Sequence, residues 1–131
     1  MVGSRPFGPT SRPAMFKRLL GFFRSEPIRI EGSSQLPEGK AFKQSVGDPV
    51  AGTGRDVLLV RLDGEVHAID NRCPHAEAFI SDGDLVDGKY LVCPLHNYQF
   101  DPKTGNCVNA SCRKARRYKT VEDGDVLELY L

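Results

Sequence analysis

Two short segments combine the residue types that bind transition metals. One is Cys73-Pro74-His75 and the other is Cys93-Pro94-Leu95-His96, and seventeen residues separate His75 from Cys93. Each segment offers one thiolate and one imidazole, close enough along the chain to occupy neighbouring positions around a metal. The proline after each cysteine lacks a backbone donor and has a restricted φ, which suits a tight ligand-bearing loop. Two such loops facing each other would supply two sulfur and two nitrogen ligands.

Three other uses of these residues stay open at this level. A structural zinc site would use the same atoms, although zinc modules more often pair C-x2-4-C with H-x3-5-H. A nucleophilic cysteine beside a histidine base would need only one of the two mirrored pairs. Two disulfides among Cys73, Cys93, Cys107 and Cys112 would make the flanking histidines a coincidence. The mixed pairs therefore favour a metal site.

Length and composition predict one small globular domain. The chain has 131 residues, of which 40% are apolar and 27% are charged, with a net charge of +1. The apolar content argues against a wholly disordered chain, and the balanced charge gives little support to nucleic-acid binding. No apolar run approaches the roughly 18 residues that a membrane-spanning helix needs.

The first part of the chain, residues 1–27, is predicted to lie outside this domain. Residues 1–14 are rich in Pro, Gly, Ser and Thr, which is typical of a flexible tail. In Met15 to Arg24, apolar residues recur at helical spacing among basic ones, which predicts a short amphipathic helix. We expect this helix to dock on its own domain, on a partner or on a membrane surface.

From residue 28 to residue 131 the pattern becomes that of β-structure. Asp63-Gly64 is a typical two-residue hairpin turn, and Asp87-Gly88 and Asp123-Gly124 predict further turns. Short strands with turns at this spacing indicate an all-β antiparallel sandwich or small barrel. The strand-like runs are 41–46, 57–62, 66–70, 90–93, 116–121 and 126–131.

The complete pattern resembles the Rieske signature C-x-H, a spacer, then C-x-x-H. Flanking turns at Ile80 to Gly83, Asp87-Gly88 and Phe100 to Gly105 are also similar to those of Rieske ferredoxins. The resemblance covers roughly residues 28–131. It implies an antiparallel β sandwich that carries a small cluster-binding subdomain near residues 71–103.

By this resemblance the chain binds one [2Fe–2S] cluster. Cys73 and Cys93 would bind one iron, and His75 and His96 the other. Cys107 and Cys112 are predicted to be non-ligands, and His67 is predicted to be structural.

The resemblance further implies a ferredoxin-type electron carrier that is not catalytic alone. It would pass single electrons from a flavin reductase to a terminal oxygenase. The alternatives are the small subunit of an NAD(P)H nitrite reductase, which would bind the large subunit, and a redox-sensing or assembly subunit. A cytoplasmic location is expected.

The residues around the ligands predict a low reduction potential. Rieske subunits of cytochrome bc-type complexes carry an extra cysteine in each ligand loop, where this chain has Ala78 and Leu95. Such subunits also place hydroxyl groups near the cluster, at positions that match Tyr98 and Phe100. Phe100 has no hydroxyl, so fewer hydrogen bonds stabilise the added negative charge. Ala76, Phe79 and Leu95 are predicted to form an apolar collar. Asp82, Asp84 and Asp87 are expected either to steer a basic partner or to be solvated turn residues.

Overall fold

The computed structural model describes residues 26–48, 50–74 and 78–131, and within them the architecture is all-β. Seven strands form one antiparallel sheet in the order β1-β9-β8-β4-β3-β2-β5, while β6 and β7 form a separate hairpin. Apart from a 3-10 turn at Ser33–Gln35, this described part contains no helix. The strands are β1 Ile28–Glu31, β2 Lys40–Val46, β3 Arg55–Leu62, β4 Glu65–Asp70, β5 Gly83–Asp84, β6 Leu91–Cys93, β7 Tyr98–Phe100, β8 Arg117–Asp123 and β9 Val126–Tyr130.

The fold class expected from the sequence is confirmed, and each of the six predicted runs corresponds to a strand. Three short strands, β1, β5 and β7, are absent from those runs, because two to four residues are too few to show a period. The predicted tail and helix of residues 1–24 lie outside the described residues. The domain boundary at residue 28 stays a prediction.

The turns expected from the sequence lie at the strand junctions. Asp63 and Gly64 connect β3 to β4 with φ angles of 52° and 82°, the left-handed pair that a type I′ hairpin turn requires. Asp87 and Gly88 also have positive φ, at 55° and 67°, and their turn is closed by mutual pairing of Val86 and Tyr90.

Two hydrophobic cores lie on the two faces of the central strand β3. Leu58 and Val60 enter the first core, whereas Val57 and Leu59 enter the second. Because successive side chains of a strand point to opposite faces, one apolar run fills both cores. The first core also contains Cys73 and is the one that carries the site.

A partly buried ion pair fixes the segment that connects β1 to β2. The Arg61 guanidinium donates to both carboxylate oxygens of Glu122, at 3.1 and 2.8 Å, and to the carbonyls of Ser33 and Leu36. The side chains of Arg61 and Glu122 are 15% and 19% exposed. The described part of the chain has no helix long and apolar enough to cross a membrane.

Candidate metal centre

The first ligand loop follows β4 and is closed by its own backbone. Asn71 and Ile80 are joined by a backbone hydrogen bond of 2.7 Å, and the buried Asn71 side chain also donates to the Ile80 carbonyl at 3.0 Å. The Cys73 N–H donates to the Ala78 carbonyl at 2.9 Å. These bonds place the Cys73 side chain in the first core, where it is 4% exposed. His75, together with residues 76 and 77, lies outside the described residues.

The second ligand loop is the turn of the β6–β7 hairpin. Cys93 ends β6 opposite Tyr98 and is fully buried, whereas His96 in the turn is exposed. Asn97 follows with a φ of 57°, a left-handed conformation that asparagine tolerates well. The His96 ring lies 5.8 Å from the Tyr98 ring, centroid to centroid. The turn therefore buries its sulfur and presents its imidazole at the surface.

Burial and neighbouring groups act on the Cys93 thiol in opposite directions. Burial raises the pKa of the Cys93 thiol, and the neighbouring Cys73 thiol raises it further. Hydrogen bonds from the backbone N–H groups of Leu95 and His96 oppose this increase. Hydrogen bonds to a ligating sulfur tune a metal centre, so this environment fits a cysteine ligand.

The described donors are of the types that a [2Fe–2S] cluster with mixed cysteine and histidine ligands uses. The described residues contain no group of three or more His, Cys, Asp or Glu side chains that could hold a metal ion, and His75 lies outside them. A cluster in which cysteines bind one iron and histidines the other does not require the four ligands to meet at one point. Two adjacent buried thiols and a separate, exposed imidazole match that division.

A third loop, residues 106–116, packs beside the two ligand loops. The Val108 N–H donates to the Gln99 carbonyl at 2.8 Å. Asn109 forms two further bonds, since its Oδ1 accepts from the Gln99 N–H at 2.9 Å and its Nδ2 donates to the Asn97 carbonyl at 2.8 Å. Asn109 thus holds the backbone just beyond His96. Nothing in the sequence pattern marked this residue, because its role depends on two loops meeting in space.

The two remaining cysteines lie close to the candidate ligands Cys73 and Cys93. Cys107 and Cys112 are half-buried and pack against the first core, which contains Cys73 and Cys93. Burial and the neighbouring Cys107 thiol raise the pKa of Cys112 to about 11. The Cys107 thiol lies 3.7 Å from the Asn109 side-chain oxygen. Their absence from the ligand set stays a prediction.

The third histidine, His67, lies on β4 in a different part of the sheet. Its Nδ1 is 3.2 Å from Nη2 of Arg117. Burial lowers the pKa of His67, and Arg117 lowers it further. Its Nε2 is buried and has no hydrogen-bond partner among the described residues, and the structural role expected for His67 stays a prediction.

Residues 26–124 match the family model of the Rieske [2Fe–2S] domain. The chain belongs to this family, whose cofactor is a [2Fe–2S] cluster.

Two curated relatives are ferredoxins of dioxygenase systems. The ferredoxin subunit of 3-phenylpropionate/cinnamic acid dioxygenase from Photorhabdus laumondii is 35% identical over 94 residues, covering 70% of this chain and 83% of the relative. The ferredoxin component of the naphthalene 1,2-dioxygenase system from Pseudomonas aeruginosa is 37% identical over 76 residues, covering 58% of this chain and 66% of the relative. The chain therefore spans slightly less than two thirds of the length of the second relative.

Solved structures show the same fold. The ferredoxin of carbazole 1,9a-dioxygenase from Nocardioides aromaticivorans IC177 superimposes with a TM-score of 0.66 and 32% identity, over 81% of this chain and 98% of that one. A putative NADH-dependent nitrite reductase small subunit from Mycobacterium tuberculosis gives a TM-score of 0.55 and 19% identity, over 80% of this chain and 96% of that one. The second similarity concerns the fold alone.

Proposed function

We propose that this chain carries single electrons from a flavin reductase to a terminal oxygenase, with Cys73 and Cys93 on one iron and His75 and His96 on the other. The observation that carries the proposal is the division between buried sulfur and exposed imidazole. Cys73 and Cys93 are 4% and 0% exposed, while His96 is at the surface. When bound, a [2Fe–2S] cluster supplies a reversible one-electron couple.

The surface around His96 suits brief docking. Phe79, Leu95 and Val108, one from each of the three loops, are 65%, 53% and 43% exposed. Small apolar patches of this kind favour transient complexes that separate after each transfer. Phe79 and Leu95 belong to the collar predicted from the sequence, whereas Ala76 lies outside the described residues.

The surroundings of the sulfur atoms support a low reduction potential. Phe100 is fully buried in the first core and brings no hydroxyl group. Hydrogen bonds from the N–H groups of Leu95 and His96 act on the Cys93 sulfur. Fewer hydrogen bonds to sulfur give less stabilisation of the reduced, more negative state.

An electron paramagnetic resonance spectrum of the dithionite-reduced protein tests the ligand set. Histidine ligation is expected to give an average g value well below that of all-cysteine clusters. His96→Ala is expected to abolish this signal, and His67→Ala serves as the matched control because it removes the one histidine outside the motif. An unchanged signal in His96→Ala, or its loss in His67→Ala, would refute the assignment.

Electron transfer is tested with the purified reductase and oxygenase of a dioxygenase system. The chain is expected to restore electron flow from NADH through the reductase to the oxygenase, and a potentiometric titration is expected to give a midpoint near or below zero. Restoration of a siroheme nitrite reductase instead would favour the alternative small-subunit role. A strongly positive midpoint would contradict the low-potential assignment. We further propose a cytoplasmic location, where such reductases find their nicotinamide donor.

A further inference from the structure

A groove with a volume of about 750 Å³ opens beside the first ligand loop. Arg55, Arg72 and Arg116 line it, and we call it the arginine groove. Phe79 and residues of the glycine-rich connection between β2 and β3 also line it. The function proposed above makes no use of these arginines.

The three guanidinium groups have no carboxylate partner in the described part of the chain. The salt bridges found there involve Lys40, Arg61 and Lys103 instead. Moreover, Nε of Arg55 is buried and has no hydrogen-bond acceptor among the described residues. A buried donor without an acceptor is uncommon in folded proteins.

The side chain of Tyr118 holds two of the arginines in place. Its hydroxyl accepts from Nη1 of Arg55 at 3.0 Å, and its ring lies 5.9 Å from the Arg55 guanidinium carbon. The guanidinium carbon of Arg116 lies 5.3 Å from the same ring. Arginines that stack on one aromatic ring lose less conformational entropy when they bind an anion.

The two acidic residues in the groove are already engaged by the protein. Asp70 accepts from the Tyr118 hydroxyl at 2.7 Å and from the Arg72 N–H at 2.9 Å. Asp56 accepts from the Ser45 hydroxyl at 2.7 Å. The three arginines and two carboxylates leave the groove a net formal charge of +1, and neither carboxylate forms a salt bridge with these arginines in the described part of the chain.

The groove is joined directly to the redox centre. Arg72 precedes Cys73 in the chain and pairs with Phe79 through an isolated β-bridge. A group bound to Arg72 would thus be fixed relative to the first ligand loop. Arginine next to an exposed aromatic side chain is also a typical composition of interface hot spots.

We propose that the arginine groove receives carboxylate side chains from an acidic segment of the redox partner. This inference rests on the proposed electron-carrier function and names the chemistry by which a partner is recognised. Bidentate contacts from guanidinium groups to carboxylates would set the orientation of the complex, while the apolar tip provides the close approach.

Binding of a fluorescently labelled octaglutamate peptide at an ionic strength of about 0.1 M, where the Debye length is about 10 Å, is followed by anisotropy and tests the groove itself. Arg72→Glu and Arg116→Glu are each expected to weaken binding by about tenfold or more, the equivalent of 1.4 kcal/mol. Arg29→Glu makes the same charge change on the distant edge strand β1 and is expected to leave binding within about twofold, since exposed charges beyond a Debye length are screened. Absence of binding to the wild-type protein, or an equal loss in Arg29→Glu, would overturn the proposal.

The neutral variants Arg72→Gln and Arg116→Gln keep the test valid if a charge reversal disturbs folding. They are expected to weaken binding in the same direction, with the paramagnetic spectrum of the reduced protein unchanged. If they bind the peptide as the wild type does, the proposal fails.

Stopped-flow electron transfer with the reductase and the oxygenase separates the two proposals. If the groove docks a partner, the second-order rate constant with at least one of them falls in the groove variants and not in Arg29→Glu. If the wild-type chain exchanges electrons with neither protein, the proposed function fails, while peptide binding still reports on the groove. Slower transfer in Asp82→Lys, with groove variants unaffected, would instead assign recognition to a basic partner surface and refute the inference.

Discussion

Replacing Gly105 with alanine is expected to loosen the third loop that borders the metal centre. Gly105 is buried, has a φ of 83°, and its carbonyl accepts the Ala115 N–H at 2.8 Å. A Cβ atom at this position would lie 2.5 Å from the Ala115 carbonyl oxygen. Because the obstructing atom belongs to the backbone, it moves only if the loop moves.

The expected loss of stability is about 3 kcal/mol. The left-handed conformation costs an alanine roughly 1–2 kcal/mol. Displacing the Ala115 backbone adds an overpacking cost of about 1–3 kcal/mol, and reduced freedom of the unfolded chain returns about 0.4–1 kcal/mol. Gly124→Ala is the matched control, because Gly124 also has a positive φ of 62° but a Cβ atom there would meet no other atom within 4 Å. That variant is expected to lose only about 1 kcal/mol.

Unfolding of the reduced and oxidised proteins, followed by circular dichroism and by the visible absorbance of the cluster, measures the difference. At about 3–5 °C per kcal/mol, Gly105→Ala is expected to unfold roughly 6–10 °C below Gly124→Ala at the same scan rate. Cluster absorbance is expected to disappear before the sheet unfolds in Gly105→Ala alone. Equal unfolding midpoints for the two variants would show that the third loop accommodates the added methyl group without loss of stability, which would refute the expected rigidity of this loop.

Three further predictions concern the site and its frame. Cys112→Ala is expected to retain the visible and paramagnetic spectra of the cluster, and their loss would make this cysteine a ligand. Asn109→Ala removes the hydrogen bonds of the Asn109 side chain with the Gln99 N–H and the Asn97 carbonyl. The variant is expected to lose about 2 kcal/mol of stability in urea unfolding and to release iron to a chelator faster than the wild type. An iron release rate equal to that of the wild type would contradict this prediction. The hydrogen bond with Arg61 is the chief cause that lowers the pKa of Glu122 below its ordinary value of 4.5. The ion pair therefore stabilises the fold fully above pH 4.5. This stabilisation is lost as the pH falls through the lower pKa of Glu122 in the folded state. Glu122→Gln is expected to be about 2 kcal/mol less stable near neutral pH, with the difference from the wild type shrinking in acid, and a pH-independent difference would refute the charge-pair account.

The parts of the fold that the sequence predicts are those with local causes. Apolar alternation and the Asp63-Gly64 pair predict β3, β4 and the turn between them, because strand period and turn chemistry act within a few residues. The paired Cys and His spacing likewise marks both ligand loops. Strand β5 escapes prediction, since it exists only through pairing with β2, which is distant in the chain, and β7 escapes because three residues are too few to show a period.

Features that join separate segments are those that the sequence does not reveal. Asn109 is one of several polar residues in an irregular stretch until the structure places it against Asn97 and Gln99. The arginine groove draws on β3, the first ligand loop and the segment before β8. A basic run such as Arg113 to Arg117 predicts only positive charge, and its division between a groove and the solvent depends on tertiary packing.

In the proposed ligand set the cysteines are buried and His96 is exposed, and this difference bears on how the chain distinguishes its redox partners. His96 lies at the surface between Leu95 and Asn97, all of them exposed, while Cys73 and Cys93 are sealed in the first core. On the proposed ligand assignment, electron exchange is favoured on the histidine side, where a donor and an acceptor protein would both approach the same small apolar surface. A tip shared in this way offers little area for discrimination between the two. Discrimination then depends on charged surfaces beside the tip, and the arginine groove on one ligand loop provides such a surface.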